Sequence, residues 1–187
     1  MATVNDSVVT KGWKGMLNKE VVLRNWDNKT VVSKAPGARE GDPTQHQVRV
    51  QDRFQMASRY GRAILGDPDL AEAYARVLKP RQNVYSRAMQ DYLNPPKVVG
   101  ISTRDYNGNV GDQIRIKAWD DFRITNMYVE IYALNGALLE KGKALIDTFT
   151  YDWYYTARQP NIELQGIKII AIATDLPGNE GMLEITL

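Results

Sequence analysis

Asp120, Asp121, Asp175 and Asn179 are the residues whose types and positions could act together chemically. The first pair closes one alternating strand pattern, and the second lies in a Leu-Pro-Gly-Asn turn, followed by Glu180, between the last two strand patterns. If those two ends share a pole, their oxygens would converge as a calcium site, because Ca²⁺ takes about 6–8 hard oxygen ligands. The same side chains also serve as ordinary turn residues, accepting backbone N–H groups. Both readings stay open from the residues alone. A carboxylate pair for glycosidic cleavage could be drawn from the same set, but nothing marks an enclosed, water-poor pocket for it.

Other chemistry finds less support. His46 is the single histidine and has no serine, cysteine or carboxylate motif around it, so it reads as a solvated side chain. The absence of cysteine excludes a disulfide framework and a thiolate metal site. No glycine-rich loop followed by Lys-Ser/Thr occurs. No enzyme is expected, and no cofactor apart from the calcium reading. Arg49, Arg53, Arg59, Arg62, Arg76, Arg81 and Arg87 invite a nucleic-acid reading. Asp52, Asp67, Asp69, Glu72 and Asp91 dilute them, and no nucleic-acid-binding signature is evident, so a solvated or interface face is the better reading. In the run Tyr151–Tyr155, Trp153 and Tyr155 point one way and Tyr154 the other. Tyr154, with Tyr128, would form a platform for sugar rings, or bury against another subunit. Few polar residues lie nearby to grip hydroxyls, which favours core or interface.

These residues need elements to position them. Val4, Val8 and Val9 lie in a weakly patterned arm that could add as a strand to a sheet edge. Gly12, Trp13, Gly15, Met16 and Leu17 form a glycine-hinged aromatic patch. Glu20–Trp26 and Lys29–Lys34 predict a hairpin turning at Asp27-Asn28, with Val22 and Trp26 on one face. A lone hairpin is marginal in water, so this one should lean on the helices or on a neighbour. Residues 35–43, with two Pro and two Gly, read as a loop.

Helical spacing follows. Val50, Phe54, Ala57, Gly61 and Ile64 make one face, starting after Thr44 and ended by Gly66. Gly61 is expected to admit another backbone. Asp67-Pro68 starts a second helix, with Leu70, Ala73, Tyr74 and Val77 apolar. Asn83 caps a third, which Asn94-Pro95-Pro96 stops as a stiff joint. Three short helices should pack as a small bundle.

From Lys97 the pattern turns to β. Lys97–Ser102, Gln113–Trp119, Ile124–Ala133, Leu138–Ile146, Tyr151–Ala157, Gly166–Thr174 and Met182–Leu187 read as seven strands. Asn135-Gly136 is the clearest hairpin turn, and the spacing is that of a β-sandwich.

The penultimate strand ending in Ala173-Thr174-Asp175, then Pro177-Gly178-Asn179 and a short last strand, resembles bacterial immunoglobulin-like or fibronectin type III-like domains. The resemblance covers residues 97–187. It implies a cohesive or spacer module and carries no catalytic residues; Trp119 or Trp153 would take the packing role of the missing disulfide.

The fold class is thus α+β. Residues 1–96 form an N-terminal arm, hairpin and three-helix unit, and residues 97–187 a seven-stranded Ig-like sandwich. Net charge is +2, too small to argue for nucleic acid, but it is unevenly spread. Residues 1–93 carry 15 Lys/Arg against 10 Asp/Glu, and residues 94–187 carry 9 against 12. Opposite signs suit contact between one subunit's front and another's back.

The expected function is a non-enzymatic structural subunit that assembles with itself as a filament, virion or phage-tail-like particle. Val4, Val8, Val9, Trp13, Val22, Trp26 and Val31 would be its contacts. The alternative is an adhesive or carbohydrate-binding module. No basic-then-apolar leader and no membrane span is visible, so the product is expected in the cytoplasm when made, with the assembled particle extracellular in some settings.

Overall fold

The computed structural model describes residues 2–4, 12–26, 29–37 and 41–187. The chain is mixed α+β, with helices and three antiparallel four-stranded sheets among the described residues. It divides into two compact units after Thr44, not at the Asn94-Pro95-Pro96 joint. The helices therefore belong with the strands that follow them.

In the first unit, the predicted hairpin forms as β3 (Val21–Trp26) and β4 (Lys29–Lys34), with β2 (Gly15–Leu17) beside β3 and β1 (Ala2–Val4) beside β4. The connecting Asp27-Asn28 lies outside the described residues. All neighbours are antiparallel, with Thr3 opposite Val31, Arg24 opposite Val31, and Met16 opposite Val22. The N-terminal strand thus pairs with its own chain's hairpin.

In the second unit, α1 (Gln45–Leu65) is followed at once by α2 (Pro68–Ala75), with the Asp67 carboxylate accepting the amides of Asp69 and Leu70 at 3.1 Å. Asn83 starts α3 (Val84–Leu93) through a reciprocal bond with Ser86. The apolar row of α1 is only half used: Ala57, Gly61 and Ile64 are buried, whereas Val50 and Phe54 are exposed. Length explains this, since α1 is about 31 Å long and α3 about 15 Å, so α3 covers one half of its partner. At Gly61 the close neighbours are the Tyr85 ring and Met89 side chain, where a Cβ would lie 2.9 and 3.1 Å away. The helices approach through side chains rather than backbone.

Eight strand segments follow. One sheet has the order β5 (Lys97–Asp105), β6 (Gln113–Trp119), β10 (Trp153–Thr156), β9 (Leu145–Ile146). The other has the order β12 (Glu180–Thr186), β11 (Lys168–Asp175), β7 (Ile124–Tyr132), β8 (Leu138–Lys143). Alternation places Ile114, Ile116, Trp153 and Tyr155 from the first sheet and Met127, Val129, Ile131, Ile169, Ala171 and Ala173 from the second in one buried core. The arrangement is compatible with a β-sandwich.

The expected strand Leu138–Ile146 is two strands in different sheets. Ala144 makes the change, buried, its amide donating to the Met127 carbonyl at 2.8 Å. Beside it, the Tyr155 ring would lie 2.6 Å from a Cβ on Gly142, and its hydroxyl donates to buried Glu140 at 2.6 Å. A strand that must cross between sheets leaves the two-residue period at the crossing, which alternation alone does not reveal.

Candidate functional site

The residues singled out for calcium do gather at one end of the two sheets, where the helices pack. Phe122 and Leu176 join Tyr74, Ile64 and Ala88 in a second apolar cluster, with the Tyr74 and Phe122 rings stacked 4.0 Å apart. The polar residues around this cluster act as fasteners between helix and sheet. Asp121 takes Asn94 Nδ2 at 2.6 Å and Gln90 Nε2 at 3.3 Å on Oδ2, while its carbonyl accepts from the Arg87 guanidinium. Arg87 Nη1 also lies 3.7 Å from Asp121 Oδ1. Asn179 Nδ2 donates to Asp175 Oδ2 at 2.8 Å and to the Tyr92 carbonyl at 3.1 Å, and its amide donates to Asp175 Oδ1 at 2.6 Å. Asp120 accepts the Phe122 amide at 3.0 Å. Among the described residues, no group of three or more His, Asp or Glu side chains is arranged to hold a metal ion. The Asp121 and Asp175 carboxylates accept helix side-chain donors and a turn amide.

Sequence reasoning missed the centre of this seam. Asp91 and Arg87 had the look of solvated helix charges, yet both are buried. Tyr74 donates to Asp91 Oδ2 at 2.6 Å, and the Tyr60 and Tyr74 hydroxyls lie 2.9 Å apart. Asp91 Oδ1, Asp120 Oδ1 and Arg87 Nε have no hydrogen-bond partner among the described residues. Burial pushes the Asp91 carboxyl up to about 7, against the Tyr74 hydrogen bond, with Asp120 and Asp175 adding to the rise and Arg87 opposing it. Burial likewise raises Asp175, although Asn179 holds it down in part. A signal was available: Asp91 falls on the helix row of Arg87, Ala88 and Tyr92 that meets the sheet ends.

A pH dependence follows. The folded protein keeps a proton on Asp91 between about pH 4 and pH 7 that the unfolded chain has released, so stability falls as pH rises through that window and is level above it. Asp91→Asn retains an oxygen for Tyr74 and removes the titration. The variant is expected to match the parent near pH 4.5 and exceed it at pH 8 by an amount on the order of 2 kcal/mol, measured by urea unfolding. The downward shifts of half-buried Asp112, Glu130 and Asp147 act below this window. A parent whose stability is level from pH 4.5 to pH 8 would contradict the assignment.

The expected assembly contacts are distributed through the first unit. Val4 lies in β1 opposite Thr30, Val22 and Val31 are half-buried in β3 and β4, and Trp26 ends β3 opposite Lys29. Val8 and Val9 lie outside the described residues. Trp13, Met16 and Leu17 are 49%, 59% and 57% exposed. The two platform tyrosines are kept apart, because Tyr154 is on the sheet of β6 and β10 and Tyr128 on that of β7 and β11, with the core between. Tyr128 instead lies under Lys141, whose Nζ is 6.0 Å from the ring centroid. His46 is exposed at the start of α1.

Comparison with known proteins returned no match, either to a protein-family model or to a curated sequence. No helix among the described residues is long and apolar enough to cross a membrane.

Proposed function

We propose that the chain is a non-enzymatic structural subunit that assembles with copies of itself through its N-terminal sheet. The observation that carries this reading is the composition of the first unit. Its described residues form one sheet of four short strands and expose Trp13, Met16 and Leu17. A sheet needs a covered face to be stable by itself, and contiguous exposed apolar groups of this size mark contact surfaces. Among the described residues β1 and β2 are the edge strands of this sheet, where a neighbouring strand would add. Exchange of β1 between copies is a low-cost route to such pairing, since the same register serves within and between chains.

In this reading residues 97–187 are the outer or spacer module. The proposed immunoglobulin-like or fibronectin type III-like type is supported by the strand orders β5-β6-β10-β9 and β12-β11-β7-β8 and by the chain crossing between sheets at Ala144.

Deleting residues 1–34 is expected to leave a soluble monomer, because the second unit keeps both apolar clusters intact. Negative-stain microscopy and sedimentation of the full chain should show ordered polymers or closed oligomers that the truncated chain lacks. A truncated chain that assembles as before would remove the N-terminal sheet from the mechanism.

A further inference from the structure

The outward face of the β5-β6-β10-β9 sheet concentrates positive charge in a way the fold does not require. Register places Gly100 opposite Lys117, Ser102 opposite Arg115, and Arg115 opposite Tyr154, so these side chains share the face turned away from the core. Gly100, Ser102, Arg104, Arg115 and Lys117 border a groove of about 270 Å³. Two breaks in register along β5, at Val98/Gly100 and Ser102/Asp105, bracket its floor, and a Cβ at Gly100 would meet nothing within 4 Å. The floor is open.

The three cations are not equivalent. Arg115 is held by Asp152, its Nε donating to Oδ2 at 2.6 Å, which fixes the guanidinium and leaves donors for another acceptor. Arg104 and Lys117 are exposed and have no ion-pair partner among the described residues. Asp105 closes β5 one residue beyond Arg104. Arg115 and Lys117 stand two residues apart on one strand and Arg104 borders the same groove, so an anion seated there meets three cations.

We propose that this groove binds an acidic saccharide, one whose rings carry carboxylate or sulfate groups, with Arg104, Arg115 and Lys117 as the anion contacts. Guanidinium forks match carboxylate and sulfate oxygens, and Lys117 adds a point charge. The Ser102 hydroxyl and the open floor at Gly100 accommodate ring hydroxyls. Tyr154, half-buried next to Arg115, offers an apolar face with a polar tip. The groove is smaller than a typical drug-sized pocket, so it holds a short segment of a chain. What separates this ligand from nucleic acid is the layout of the charge: the three cations gather in one short groove rather than along a track that a phosphate backbone could follow.

The site involves no residue of the N-terminal sheet, so its test stands apart from that of assembly. Isothermal titration of the full-length protein at low salt would use heparin for sulfate, polygalacturonate for carboxylate, dextran as a neutral glycan, and an oligo-dT strand as phosphate. Binding is expected for heparin, polygalacturonate or both, and the responding arm names the anionic group. Arg104→Ala with Lys117→Ala should weaken it about tenfold or more, with an unchanged thermal midpoint because both side chains are exposed. Arg49→Ala on α1 should leave it unchanged. The chain lacking residues 1–34 should bind as the full chain does. No binding to either acidic glycan, equal binding of dextran or oligo-dT, or full affinity in the double variant would overturn the proposal.

Discussion

Replacing Arg87 by methionine should lower stability by about 3 kcal/mol, the usual cost of removing one partner from a buried charge group. The side chain is 4% exposed and reaches Asp121 through both its carbonyl and its carboxylate. It is also the cation that opposes the rise in Asp91. Methionine fills much of the same space, so the loss reports charge and hydrogen bonding more than a cavity. The effect should be larger at pH 8, where Asp91 is ionised, than at pH 5, where it holds its proton. Swapping a whole ion pair for apolar groups can be neutral; removing one member strands the other. Urea midpoints of parent and variant at both pH values test this. A variant as stable as the parent at pH 8 would mean that the seam is held by the Tyr74–Phe122 stack and its apolar neighbours alone.

Gly181→Ala should cost a similar amount, about 3 kcal/mol, at the upper end of the range for overpacking. Gly181 in β12 faces the backbone that leads from the third helix into β5. A Cβ there would overlap the Pro96 carbonyl oxygen and approach its carbon to 2.7 Å. Backbone cannot swing aside as a side chain can, so the end of β12 must separate from Pro96 and Lys97. The thermal midpoint should drop by about 9 °C for a chain of this size. Gly100→Ala is the matched control: the position is also a strand glycine, a Cβ there is unobstructed, and its midpoint should hold or rise slightly. Equal midpoints for Gly181→Ala and the parent would show that the contact relaxes freely.

Much of the second unit was legible because its patterns are periodic. Ile114, Ile116 and Ala118 alternate with Arg115 and Lys117 over one strand, and Asp67-Pro68 and Asn83 mark helix starts by the backbone groups they satisfy. What stayed hidden depends on contacts between distant segments. The unit boundary after Thr44 was invisible because the helices bury their remaining apolar side chains on Phe122 and Leu176, more than thirty residues beyond Arg87. The partners of Asp121, namely Arg87, Gln90 and Asn94, come from a helix and its C-cap whose orientation no local pattern specifies. The exposure of Val50 and Phe54 was equally hidden, since a helix face does not announce how long its neighbour is.

The crossing at Ala144 gives the two sheets a covalent stitch. Residues 138–146 are sewn into β7 on one side and β10 on the other within a single short run. Sliding one layer over the other would tear the Ala144–Met127 bond and strip the two-residue strand from its neighbour. A pull along these strands therefore meets resistance to shear built into the chain's own thread.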